Sequence, residues 1–410
     1  MSVRPMPYLL KGGRVIDPAS GFDRVADVYL RDGVIEAVEA PGKIAPVGTF
    51  ETIHAAGLVV APGLVDMHVH LREPGETHKE DIASGTRAAA AGGVTTVACM
   101  PNTKPVLDTP DQIAWVRARA ADTGIVKVLP IAALSEGQCG KRLTDGKALR
   151  RAGAVALSDD GRPVVSDDLM RAGLTAAAAL PLPVVSHCEP ETAQALRDIA
   201  LAEETGCPVH IAHVSRRETL DAVRAARARG VPVTCETCPH YFWFTEADFR
   251  RIGANAKMNP PLAAEEDRAA ILQGLADGDI QVIASDHAPH HPSEKSGPLE
   301  RAPNGVVGLE TLLAASLTAL VHAGRMTLPA LLRLLTTAPA DLLRVPAGRL
   351  VPGRPADLTL FDPEARWQVE ARRLASKSQN TPFDGLTLRG RVLHVFVDGV
   401  AVVGHGRLLL

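Results

Sequence analysis

The chain has 410 residues, enough for one large α/β domain with an appendage, and 46% hydrophobic with only 3% aromatic residues describes a soluble enzyme core of Ala, Val and Leu. A formal net charge of −3, with no Lys/Arg run and no basic-aromatic interleaving, argues against a nucleic-acid partner. No apolar run approaches the ~20 residues that cross a bilayer, and that of residues 1–11 is too short for a signal peptide, so the sequence reads as cytoplasmic with no membrane partner.

In chain order, residues 8–52 carry short β-type runs (15–16, 25–30 and 34–38) broken by Gly12-Gly13, Asp17-Pro18, Asp32-Gly33 and Pro41-Gly42, the turn signals of hairpins. Residues 64–70 then read as a strand entered through Pro62-Gly63. Alternate residues of a strand share a face, so Asp66, His68 and His70 point one way and Val65, Met67 and Val69 the other. Two neutral imidazoles side by side suit a borderline metal such as Zn²⁺; a pair of satisfied, half-buried histidines is the bland alternative.

From there strand and helix patterns alternate. Strand candidates are 64–70, 94–100, 126–132, 154–158, 183–188, 209–214, 231–236 and 280–285, the eight that a (β/α)₈ TIM barrel needs. A doubly wound sheet is the alternative, lowered by the lack of a Gly-rich loop after the first strand. Helix starts are marked by a capping box at Ser215-Arg216-Arg217-Glu218 and by Thr109-Pro110-Asp111-Gln112, and helix ends by Gly92-Gly93, Gly206 and Gly230. Residues 356–403 return to the β texture of the N-terminus. The expected division is 1–56 and 346–410 as the two parts of a small β-sandwich domain, with 57–345 as the barrel.

Barrel chemistry sits where strands end and loops begin. His68 and His70 end strand one, Asp159-Asp160-Gly161 strand four, His187 strand five, His213 strand six and Asp286 strand eight, so histidines and aspartates from distant parts of the chain converge on one mouth as a metal site. His287 should point away from Asp286, and His240 should lie behind the ligands. His54, His78, His210, His291, His322, His394 and His405 read as structural or solvent-facing. The six cysteines are scattered, mostly in apolar runs, and read as reduced buried thiols, Cys235-Glu236-Thr237-Cys238 included. Residues 287–305 lack regular periodicity and read as a lid.

The stretch from Pro62 to Gly75, followed by Thr77-His-Lys-Glu-Asp81, Met100-Pro-Asn-Thr103, Ser158-Asp-Asp-Gly161, His187-Cys-Glu189, His213-Val-Ser215, Lys257-Met-Asn-Pro-Pro261, Asp286-His-Ala-Pro-His290, Ser376-Lys377 and Asn380-Thr-Pro-Phe383, resembles the class I dihydroorotases of the amidohydrolase superfamily over nearly the whole chain. The resemblance implies one or two Zn²⁺ per subunit, with His68, His70 and Asp286 on one metal and His187 and His213 on a second. Asp160 would bridge them where many relatives use a carboxylated lysine, since no lysine lies between Ala148 and Ser186. It makes Asp286 the general base as well as a ligand, gives the substrate's carboxylate to Arg72, Asn102 and His290, its ring to Asn259, and the rest of the pocket to Asn304 and Gly305. The bland readings are a surface ion pair for Arg72, a turn for Asn102 and loop filler for His290.

The activity implied is the reversible hydrolysis of (S)-dihydroorotate, a small-molecule substrate, to N-carbamoyl-L-aspartate in pyrimidine biosynthesis by a homodimer. An allantoinase or hydantoinase is the runner-up; those relatives usually carry the bridging lysine and lack the Arg72-Glu-Pro-Gly75 and Lys257-Met-Asn-Pro-Pro261 stretches. From another class, an inactive dihydroorotase-like subunit would support an aspartate transcarbamoylase. One departure from the family stands out: Pro190-Glu191-Thr192 leads straight into a helix where dihydroorotases run through a longer loop.

Overall fold

The computed structural model describes residues 5–409, so part of the 1–11 stretch read for a signal peptide, and the outermost residues of both terminal segments, lie outside the described residues. The barrel begins as three parallel strands, Leu64–Val69, Val94–Cys99 and Lys127–Pro130, and continues as four, Val184–Ser186, Val209–Ile211, Val233–Thr237 and Val282–Ile283. Between these runs the expected fourth strand is reduced to bridges, Leu157 pairing with Ala132 on one side and Val184 on the other. A parallel bridge between Val69 and His287 closes the ring, with the His70 N–H donating to the His287 carbonyl at 2.8 Å. Strands buried on both faces read as unbroken apolar runs, and every residue of Leu64–Val69 is buried. Met67, Ala98, Ile131, Ala156, Val185, Ala212 and Val282, one from each of seven strand positions, share a single buried cluster in which small side chains sit among large ones.

Helix Pro110–Thr123 starts as expected, with Thr109 and Gln112 forming a capping box and Pro110 in the first turn. The box expected at Ser215 does not form. Helix Arg217–Ala228 has no side-chain cap of its own; the Ser215 hydroxyl instead donates to the buried Glu191 carboxylate, which also accepts the N–H groups of Ser215 (3.1 Å) and Arg216 (3.0 Å). A charged acceptor from the neighbouring helix takes the Ser215 hydroxyl that the box would have used. The short turn after Glu189 is therefore filled: Glu191, the first residue of helix Glu191–Thr205, ties strand five's loop to strand six's.

The two chain ends build one nine-stranded sheet that includes Tyr8–Asp17, Phe22–Arg31, Leu358–Gln368 and Thr387–Val397. Strand Val59–Pro62 stitches the ends together, running parallel to Arg14 and Val15 and antiparallel to residues 358–361. Tyr8 and Phe396 stack at 4.9 Å between centroids although two strands separate theirs in sheet order. Neighbouring strands lie ~4.8 Å apart, so the sheet folds over into two layers. Val59–Pro62 then runs through Gly63 directly into the His68/His70 strand, and a Cβ at Gly63 would meet Thr95 Oγ1 at 2.1 Å.

Between its strands at Leu358–Gln368 and Thr387–Val397 the sheet releases residues 369–386, which lie against the barrel. There Phe383 is buried against Trp243 and Phe244, at ring separations of 5.6 and 4.9 Å. Residues 287–305 are not wholly irregular. They carry the helix Pro292–Lys295, whose Lys295 ammonium donates to the carbonyls of Ala254, Lys257 and Pro303 at 2.8–3.2 Å. Five cysteines are buried free thiols, but Cys139 is exposed, because the segment around it is a surface loop rather than an apolar strand. Among the described residues no helix is long and apolar enough to cross a membrane.

Candidate metal centre

Asp160 is the hub of the mouth. One of its oxygens lies 3.3 Å from His68 Nε2, 3.4 Å from His187 Nδ1 and 3.8 Å from His213 Nε2, and the other lies 3.5 Å from His70 Nε2. Asp286 Oδ1 approaches His68 and His70 at 3.5 and 3.3 Å. Two groups able to hold an ion result, His68/His70/Asp160 and Asp160/His187/His213, sharing the one carboxylate. A tetrahedral ion with N and O ligands at about 2.0–2.1 Å has donor–donor edges of about 3.3 Å. The 3.3–3.5 Å separations from His68 and His70 to the carboxylate oxygens of Asp160 and Asp286 fit that edge. His187 Nδ1 and His213 Nε2 stand closer, at 2.8 Å.

The outer nitrogens of the first pair are spoken for. His68 Nδ1 donates to Glu236 Oε1 at 2.6 Å and His70 Nδ1 to Asn102 Oδ1 at 2.8 Å, which orients each ring and turns its Nε2 inward toward Asp160 and Asp286. His68 Nε2 is buried without a hydrogen-bond partner, as a donor atom awaiting an ion would be. Burial opposes ionisation of Asp286, but the imidazoles of His70, His68 and His213 hold its carboxyl down to about 2, so it is a carboxylate at neutral pH. His213 (φ 37°), Asp286 (φ 45°) and Arg72 (φ 59°) occupy the left-handed backbone region that non-glycine residues avoid, strain of a kind concentrated at functional sites.

Above the metal groups lies a cavity of about 190 Å³ walled by Arg72, Asn102, Asn259, His290, Asn304 and Gly305. Arg72 is buried; its Nε donates to the Pro289 carbonyl at 3.1 Å, and burial lowers the guanidinium's pKa. His290 Nε2 donates to the Asn304 carbonyl at 2.7 Å, so the 3.3 Å approach of Arg72 to the same nitrogen is packing rather than a hydrogen bond. Burial and the adjacent Arg72 push His290 down to about 3, keeping it neutral. Asn259 Nδ2 donates to Glu189 at 3.1 Å. Gly305 has φ 132°, and a Cβ there would meet the Ala288 carbonyl oxygen at 2.6 Å.

A model of the amidohydrolase family matches residues 59–402. Dihydroorotases of Geobacter metallireducens and Solibacter usitatus are 46% and 43% identical to the chain over 97% and 96% of its length, covering 99% and 97% of their own. The chain belongs to the amidohydrolase family, in its dihydroorotase branch. Among solved structures, an L-hydantoinase from Arthrobacter aurescens superimposes with a TM-score of 0.89 at 26% identity, covering 98% of this chain and 97% of that one.

In this amidohydrolase the geometry gathers every candidate site residue named from the sequence around one mouth. Asn102 lines the cavity together with Arg72 and His290, and its carboxamide also accepts from His70 Nδ1 and, through Nδ2, donates to Asp160 Oδ2 at 3.3 Å, since a buried imidazole N–H needs an acceptor. Glu236 went unnoticed in the sequence. It lies in strand seven (Val233–Thr237), fully buried between His68 and His210 Nε2 (3.4 Å), and a lone carboxylate inside Val-Thr-Cys-Glu-Thr was the available signal. His287 turns outward as expected, 3.4 Å from Glu80, and His240 is buried, which lowers it to about 4.

Proposed function

We propose that the chain is a zinc-dependent dihydroorotase that interconverts (S)-dihydroorotate and N-carbamoyl-L-aspartate. The observation carrying this reading is one small cavity that holds a carboxylate-bridged histidine cluster on one wall and a buried arginine on the other. The first fits a metal and the second a substrate carboxylate. Imidazole nitrogens and carboxylate oxygens at tetrahedral spacing suit Zn²⁺. His68, His70, Asp160 and Asp286 would hold one ion, and His187, His213 and Asp160 a second.

When bound, the metal lowers the pKa of its water from about 15.7 towards about 7 and polarises the scissile carbonyl. Asp286, ionised and in contact with both His68 and His70, takes a proton from the attacking water and returns it to the ring nitrogen that leaves as the cyclic amide opens. Arg72 fixes the substrate's carboxylate with its planar fork, which sets the ring over Asp286. Replacing Arg72 with methionine should raise KM for dihydroorotate about 10- to 100-fold, the loss of a charge-assisted pair of about 1.5–3 kcal/mol. Steady-state kinetics check this; an unchanged KM would place the carboxylate elsewhere.

Assays of the purified protein on dihydroorotate, allantoin and hydantoin side by side test the function itself. Dihydroorotate should be fastest, activity should vanish on chelation, and added zinc should restore it at one or two equivalents. Faster turnover of either other ring would overturn the reading.

A further inference from the structure

The segment released by the terminal sheet reaches the mouth of the barrel and fastens two of its loops. Three successive residues after strand one are engaged by three successive residues of this segment: the Lys79 carbonyl accepts from Ser378 Oγ at 2.7 Å, the Glu80 carboxylate from Ser376 Oγ, and the Asp81 carboxylate from Lys377 Nζ. Two residues further on comes Asn380, which is buried and spends its whole carboxamide on the loop after strand eight. Its Oδ1 accepts from the His290 N–H at 3.1 Å, and its Nδ2 donates to the Ala288 carbonyl at 3.2 Å and the Gly305 carbonyl at 2.9 Å. Its own carbonyl accepts from the Val307 N–H at 2.9 Å.

These bonds join residues 288–290 to 305–307, the two ends of the excursion that carries His290, Asn304 and Gly305. That excursion is long, and its interior contains one four-residue helix. Asn380 reinforces a neck that is also held by the Ala288 N–H bond to the Val306 carbonyl at 2.8 Å, the Gly305 N–H bond to the Lys257 carbonyl at 2.9 Å, the His290–Asn304 bond and Lys295; its single carboxamide bonds His290 on one side and Gly305 on the other at once.

We infer that Asn380 is a positioning residue for the substrate's carboxylate: it holds His290 and Gly305 in register opposite Arg72 without touching substrate, cofactor or the metal-ligand side chains. The inference rests on the reading of Arg72 and His290 as the carboxylate pocket. A clamp on that pocket should show chiefly in KM: the ligand residues His68, His70, Asp160, His187 and His213 sit on other strands, and Asp286, although it precedes the clamped loop, has its own contacts with His68 and His70 at 3.5 and 3.3 Å.

The test is steady-state kinetics of the full-length, zinc-loaded protein with dihydroorotate, with metal content measured on each preparation. Asn380→Ala should raise KM at least tenfold, with kcat within about threefold of wild type and metal content unchanged. Asn380→Asp has the same shape but no donors for the carbonyls of Ala288 and Gly305, and should move KM in the same direction. Thr381→Val, a buried neighbour in the same segment, serves as the structural control and should leave KM unchanged. A fall in kcat or in metal content at unchanged KM would overturn the inference, as would a matching KM rise in Thr381→Val, or failure of both Asn380 variants to accumulate as folded, zinc-loaded protein. Should wild type itself not turn over dihydroorotate, the functional reading fails; an active wild type with an unmoved KM in the variants sinks this inference alone.

Discussion

Asp286→Asn should reduce kcat with dihydroorotate by about 10²- to 10⁴-fold, the range expected when a positioned proton-transfer group is lost. The amide has nearly the same shape as the carboxylate, so it can occupy the same place at the end of strand eight beside His68 and His70. It cannot accept a proton from water or pass one to a departing nitrogen. His68, His70 and Asp160 remain to hold an ion, so the metal content of the purified variant should stay near that of wild type. KM should shift only a few-fold, because Arg72 and His290 are untouched. A variant that kept wild-type kcat would remove Asp286 from the chemistry.

Glu236→Gln should weaken metal binding about 10- to 100-fold, the usual loss when the carboxylate behind a ligating histidine is neutralised. Glu236 is fully buried, and its Oε1 accepts from His68 Nδ1 at 2.6 Å, which makes the opposite nitrogen more basic. Burial works against its charge, yet the contacts with His68 and His210 hold its carboxyl below the usual range. Glutamine keeps the length and the acceptor while removing the charge, so the fold should survive and the change should appear in a competitive chelator titration. Equal zinc affinity in variant and wild type would mean that His68 is oriented by other contacts.

The barrel was legible because strands such as Leu64–Val69 and Val94–Cys99 are buried on both faces and read as largely apolar runs, and because the runs of strands one, four, five, six and eight meet a His or Asp where the loop begins. The same feature made His68, His70, Asp160, His187, His213 and Asp286 stand out. Strand four was read as a full strand, but Leu157 makes only isolated bridges. What escaped was non-local. The first N–H of helix Arg217–Ala228 goes to Asp267 Oδ1 at 2.9 Å and the approach to the helix is held by Glu191, and nothing near Ser215 announces either acceptor. Asn102 was assigned by resemblance to the substrate; that it also accepts from the His70 imidazole is visible only once the two are 2.8 Å apart. Asn380 belongs to a motif that the resemblance picked out, but its reach to the strand-eight loop depends on how the terminal sheet folds back over the barrel.

The fastening of the mouth by residues 376–380 has a bearing on how the protein comes to life during synthesis. A nascent chain that has left the ribosome as far as residue 345 already contains every donor of the metal centre, yet its strand-eight loop has no Asn380 to gather it. The pocket for the small acid is thus completed by a segment translated after the whole barrel, and an excised barrel should carry metal-binding side chains without a well-formed place for what they act upon.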